Sequence, residues 1–197
     1  MNKSYMLNQA QGKKLLRLAR KAIESHFSAK QLNFSEEKRE FKEPRGVFVT
    51  LNKCGNLRGC IGFPYPVKPL AEAVVEAAKA AAFQDPRFKP LEEKELDKIT
   101  IEISVLTDPQ EIKVKGQDIL KEIEIGKDGL IVQFAGFSGL LLPQVALEHK
   151  WSALQFLEAT CNKAGLPSNV WLHPQCRIFK FQAQIFEEKK ESIKDEK

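Results

Sequence analysis

The chain has 197 residues, 43% hydrophobic and 29% charged, enough for one sizeable core, or one domain with a small insert, in a soluble globular protein. The net charge is +5, but the lysines are scattered among glutamates, as in Glu36-Glu37-Lys38-Arg39-Glu40 and Glu92-Glu93-Lys94-Glu95; this reads as a solvated face and disfavours a nucleic-acid partner. No apolar run reaches the ~20 residues that cross a bilayer, and Met1 to Lys14 lacks the apolar core of a signal peptide, so no membrane partner and a cytoplasmic location are expected.

Asn8 with Gln11 makes a capping-box pattern, and Leu15, Leu18, Ala19, Ala22 and Ile23 recur at helical spacing up to about His26. Residues 28–45 are polar and mixed and read as a loop. Val47, Val49 and Leu51 alternate with Phe48, Thr50 and Asn52 as a strand. Lys53-Cys54-Gly55-Asn56 reads as a turn, and the chain returns through Leu57-Arg58-Gly59-Cys60-Ile61-Gly62. This predicts a hairpin in which Arg58 and Cys60, two residues apart, share a face.

Leu70 to Phe83 is an alanine-dense helix, broken by Asp85-Pro86-Arg87-Phe88 because proline disfavours helix in the residue before it. Ile99, Ile101, Ile103 and Val105 alternate with polar neighbours as a strand. A short helix is expected over 116–122. Gly129 to Phe134 and Gly139 to Leu142 form a second hairpin through Ala135-Gly136. Pro143 opens a helical region reaching about Lys163, interrupted near Lys150–Ser152 and stopped by Gly165 and Pro167. Arg177 to Phe186 is a last strand with Phe179, Phe181, Ala183 and Ile185 on one face, and 187–197 is a charged tail expected to be disordered. Strands paired as hairpins point to an α+β fold with a mixed, largely antiparallel sheet flanked by helices.

The motif 57–62 packs a cation, a thiol and two glycines into six residues. A thiolate nucleophile needs a cation or base nearby and donors for a developing oxyanion; Arg58 can supply the first, and Gly59 and Gly62 can leave backbone N–H groups open to a substrate. A buried structural cysteine is the alternative. Asp85 and Arg87 can bind a polar ligand or pair with other groups to hold their loop. Gln144 follows Pro143 at a helix start, where N–H groups can meet an anion. Cys54, Cys60, Cys161 and Cys176 form no CxxC pair or common zinc spacing; a reducing compartment keeps them as thiols, which disfavours a Cys54–Cys60 bridge. Cys60, His149 and His173 are metal-ligand types without supporting spacing, so no metal is expected.

The chain resembles the AMMECR-domain family. Residues 57–62 match its signature, and Ala80-Ala81-Ala82-Phe83-Gln84-Asp85-Pro86-Arg87-Phe88, Gly139-Leu140-Leu141-Leu142-Pro143-Gln144-Val145 and Lys163-Ala164-Gly165-Leu166-Pro167 follow in family order. The resemblance covers roughly 8–186. It implies one AMMECR-type domain over 1–186, with a smaller subdomain at roughly 54–92 that carries the signature and a cleft beside the larger body. It also implies Memo-like and radical SAM proteins as partners. Neither the residues nor the resemblance names a cofactor. The leading expectation is an enzyme or enzyme subunit: Cys60 is nucleophile or attachment point, Arg58 an anion clamp, and Gly59, Gly62, Asp85, Arg87 and Gln144 line the cleft and orient a small polar ligand. The rival is a non-catalytic regulatory or protein-binding module with Arg58 as interface anchor.

Overall fold

Two tight turns set the sheet. Cys54 (φ 52°) and Gly55 (φ 81°) occupy the left-handed region, as a two-residue hairpin turn requires, and they join strands β1 (Val47–Lys53) and β2 (Asn56–Phe63). Ala135 and Gly136 do the same between β5 (Asp128–Phe134) and β6 (Phe137–Leu141). The computed structural model describes residues 6–28 and 31–188. These form two compact units, one holding the chain to Val105 together with residues from Gln184 on, the other holding Leu106–Ala183. The fold is α+β, with antiparallel pairing throughout.

In the first unit, helix α1 (Gln9–Glu24) starts at the expected capping box, with both Asn8–Gln11 bonds made. A short helix α2 (Ser35–Glu40) stands where a loop is expected. It has no buried residue, so no apolar stripe announces it, and acid-first, base-last charge suits its dipole. Helix α3 (Leu70–Phe83) matches its predicted span; the Phe41 and Glu43 carbonyls accept from the Ala71 and Leu70 N–H groups at its start, replacing a side-chain cap. Strand β1 lies between β2 and β3 (Ile99–Leu106). Val47, Val49, Leu51, Ile101 and Ile103 face one way and are fully buried with the apolar sides of α1 and α3.

In the second unit, β5 pairs with β6 and with strand β7 (Arg177–Glu187), whose other neighbour there is β4 (Gln110–Glu111). The short helix expected over 116–122 is a 3-10 helix at Gly116–Glu122, and a single 3-10 turn lies at Val170–Leu172. The expected interruption falls between α4 (Pro143–Glu148) and α5 (Ala153–Lys163). Lys150 takes φ 54° there, and Ser152 with Gln155 forms a second capping box. Phe156, Leu157, Cys161, Leu130 and Ile178 centre this core.

Strand β7 departs from its expected face. Ile178 and Phe186 are buried at 2% and 4% exposure, whereas Ile185 is 43% exposed. Each of its ends serves a different core: Ile178 joins the second unit's and Phe186 the first unit's, where its ring fills the space left by the missing side chain of Gly12. Phe181, on the opposite face, is buried over Gly129 by the same fit. The strand also runs one residue past the expected end, and Glu188 beyond it pairs with Arg20 and accepts from the Ile101 N–H. Residues 189–197 of the expected tail lie outside the described residues.

Candidate functional site

Residues 54–92 belong to the first unit, where β2 and α3 share one core with α1. Gly59 lies where a Cβ would sit 2.1 Å from the Ala81 carbonyl oxygen of α3. At Gly62 a Cβ would sit 2.2 Å from the Val47 carbonyl oxygen. Both glycines are therefore required by close approach of backbone.

The register of β2 skips one residue: Leu57 pairs with Asn52 and Gly59 with Leu51, leaving Arg58 as the extra residue of a bulge. The alternation that would place Arg58 beside Cys60 is thus interrupted. The Arg58 guanidinium instead grips Glu95, Nε to Oε1 at 3.2 Å and Nη2 to Oε2 at 3.0 Å, and Nη2 also reaches the Pro90 carbonyl at 3.4 Å. Lys53 donates to the same carboxylate at 2.7 Å. Glu95 is buried, against the reading of 92–95 as solvated surface. Hydrogen bonds from Arg58 and then Lys53 hold its carboxyl down at about 2 despite burial.

Asp85 and Arg87 come together at Cys60. Asp85 is 4% exposed; its Oδ2 accepts the Cys60 N–H at 2.9 Å, and its Oδ1 accepts the Arg87 N–H at 3.1 Å. Arg87 returns two bonds, Nε to Oδ1 at 2.9 Å and Nη2 to Oδ2 at 2.7 Å, and its Nη2 also donates to the Cys60 carbonyl at 3.2 Å. Both backbone groups of Cys60 are thereby fixed by one charge-assisted pair. The Arg87 bonds hold the Asp85 carboxyl well below the usual carboxylate range, and Asp85 in turn raises Arg87. The cation meets solvent, with the Arg87 side chain 48% exposed against 2% for Asp85 and 13% for Arg58. Both guanidiniums lie near the Phe88 ring, Arg87 at 5.5 Å and Arg58 at 6.0 Å.

The Cys60 side chain is half-buried and accepts a hydrogen bond from the Thr50 hydroxyl at 3.3 Å. Burial pushes the thiol up from its ordinary value; the Thr50 bond and Arg87 pull it down, while Asp85 and Glu102 push it further up. The free protein thus holds Cys60 as a thiol at neutral pH, not as the depressed-pKa thiolate that its arginine neighbour suggests.

All four cysteines are free thiols. Gln144 lies in the second unit, at the start of α4. His149 stacks on Trp151, His173 leans on Phe134 and His26 stacks on Phe83. Among the described residues no group of three or more His, Cys, Asp or Glu side chains is placed to hold a metal ion, and no helix is long and apolar enough to cross a membrane. Thr50, Glu95 and Glu102 are the site residues that sequence reasoning missed; the strand alternation around 50 and 102 carries the face of two of them, and nothing local announces Glu95.

Residues 16–186 match the family model described as AMMECR1. The chain belongs to the AMMECR1 family. A family relative from Methanothermobacter thermautotrophicus is 50% identical over 185 residues, covering 92% of this chain and 96% of its own length. One from Aquifex aeolicus is 44% identical over 180 residues, covering 90% and 92%. The crystal structure of an uncharacterized protein from Pyrococcus horikoshii superposes with a TM-score of 0.88 at 44% identity, covering 93% of this chain and 94% of that one.

Proposed function

We propose that this AMMECR1-family chain is an enzyme or enzyme subunit that holds a small polar, anionic ligand beside the Cys60 thiol, and that it works with Memo-like and radical SAM proteins. The observation that carries this reading is the Asp85–Arg87 pair. It fixes the Cys60 N–H and carbonyl together and leaves a half-exposed guanidinium next to a half-buried sulfur. Positioning of that kind serves a reacting or attaching group. Arg87 is the ligand-facing cation. Arg58, spent on Glu95, supports the bulge, and Gly59 and Gly62 let β2 lie close to α3 and β1. Cys60 is the attachment point, reacting once a ligand shifts its proton.

Alkylation tests this. In a Cys54→Ser protein, iodoacetamide should modify Cys60 while buried Cys161 and Cys176 stay intact, and hexanoate should slow the reaction in wild type but not in Arg87→Met. A Cys60 that resists modification in the folded protein, or a rate indifferent to hexanoate, refutes the reading. A protein-binding module is the second reading, favoured by how much of the signature is used inside the fold and by exposed Leu57 at 43%. It requires that Leu57→Asp lose a Memo-like partner while Cys60→Ala keeps it.

A further inference from the structure

When a cysteine attacks a carbonyl, its own N–H is a ready donor for the oxygen that becomes negative. In Cys60 that N–H is already spent on the Asp85 carboxylate at 2.9 Å. Gly59 faces α3, where a Cβ would meet the Ala81 carbonyl, so Cys60 points to the other face of the sheet. There the Thr50 hydroxyl donates to its Sγ, not to any incoming oxygen. The Arg87 side chain makes three bonds to Asp85 and to the Cys60 carbonyl, through Nε and Nη2, and these leave Nη1 over. Acyl transfer draws on preorganised donors aimed at an oxyanion. Here one guanidinium nitrogen is left, and it is the one a ligand's carboxylate needs. Displacement at sulfur makes no oxyanion: a thiolate attacks a disulfide sulfur and a second thiolate leaves. Burial, the largest influence on Cys60, keeps it a thiol, and a thiolate from such a thiol is the stronger nucleophile once formed.

We infer that Cys60 exchanges sulfur with a small disulfide that carries a carboxylate, the carboxylate on Arg87 and the disulfide in line with the Cys60 Sγ. The inference rests on Arg87 being the ligand-facing cation, and it names the ligand class and the chemistry. In the step the ligand's S–S bond breaks and a new S–S bond joins its near half to Cys60. The far half leaves as a thiolate and takes up the proton that Cys60 gave up. No net electron is lost or gained, and the disulfide is the one co-reactant.

Mass-spectrometric mapping of the modified thiols on the unmutated protein tests this. Exposed Cys54 is the internal standard for what the net charge of +5 does to any reagent. The probes are dithiodipropionate, the cationic disulfide cystamine and the thioester acetylthiopropionate. The expected ratio of the Cys60 rate to the Cys54 rate is about tenfold higher with dithiodipropionate than with either other probe, the size of one charge-assisted hydrogen bond. Arg87→Met should bring the two disulfides together. Equal ratios for the two disulfides, or a higher ratio for the thioester, overturn the inference, and hexanoate protection against iodoacetamide then leaves the Arg87 reading standing. A Cys60 that resists every probe and iodoacetamide overturns both. The comparison on the unmutated protein decides without any variant having to fold.

Discussion

Replacing Glu95 by glutamine removes one charge from the Arg58–Glu95–Lys53 cluster while keeping the side chain's shape. The carboxyl is held at about 2 against an ordinary 4.5, and at about 1.4 kcal/mol per pH unit this depression is worth about 3 kcal/mol. The Glu95 side chain is only 9% exposed, so water screens little of it. A group depressed in the folded state stabilises fully above its ordinary value and loses that contribution as pH falls toward the folded one. Glu95→Gln should therefore be less stable than wild type by about 3 kcal/mol at pH 7, with the gap falling to less than half of that at pH 3. Urea unfolding of both proteins at pH 7, 4 and 3 reads this directly, and Asp85 cancels because both proteins carry it. A gap under about 1 kcal/mol at pH 7, or one unchanged at pH 3, would refute the claim that Glu95 is the ionised partner on which Arg58 is spent.

Gly59→Ala should cost about 1–3 kcal/mol or more, since its Cβ would meet backbone and not a movable side chain. Gly55→Ala, with open space but φ 81°, should cost only about 1–2 kcal/mol; thermal unfolding ranks the pair, and the reverse order would count against the close packing of β2 on α3. Mass spectrometry of brief iodoacetamide labelling at pH 8 should find exposed Cys54 modified first, Cys60 next and Cys161 last. Cys161 is buried and pushed up to about 11, chiefly by desolvation. Labelling of Cys161 as fast as Cys54 would contradict that burial.

The sequence made the hairpins and long helices readable because their signals are local: a two-residue left-handed turn, a period of two, an alanine run, a capping box. The AMMECR1 kinship was readable from blocks spread along the chain. The chemistry of the motif was not, because its partners are distant. Arg58 meets Glu95 37 residues on, and Cys60 meets Asp85 25 residues on. The bulge at Arg58 is a register event that no spacing rule carries. The thiol's environment reversed the expected direction because burial outweighs the neighbouring cation. Charge patterning misjudged Glu95 for the same reason: a carboxylate in an acidic run looks solvated until two cations from a hairpin cover it.

The last strand bears on how the chain is made. Leu7 and Gln184 exchange hydrogen bonds across 177 residues of sequence, Arg20 waits for Glu188, and the notch at Gly12 waits for Phe186. During synthesis α1 emerges well before β7, so the groove on it stays open until residues 184–188 have followed it out of the ribosome. A truncation at residue 183 would spare every residue of the Cys60 cluster and still leave α1 without its closing ring. The notch on α1 therefore stays uncovered until the end of β7 is made, and residues 184–188 act as the latch.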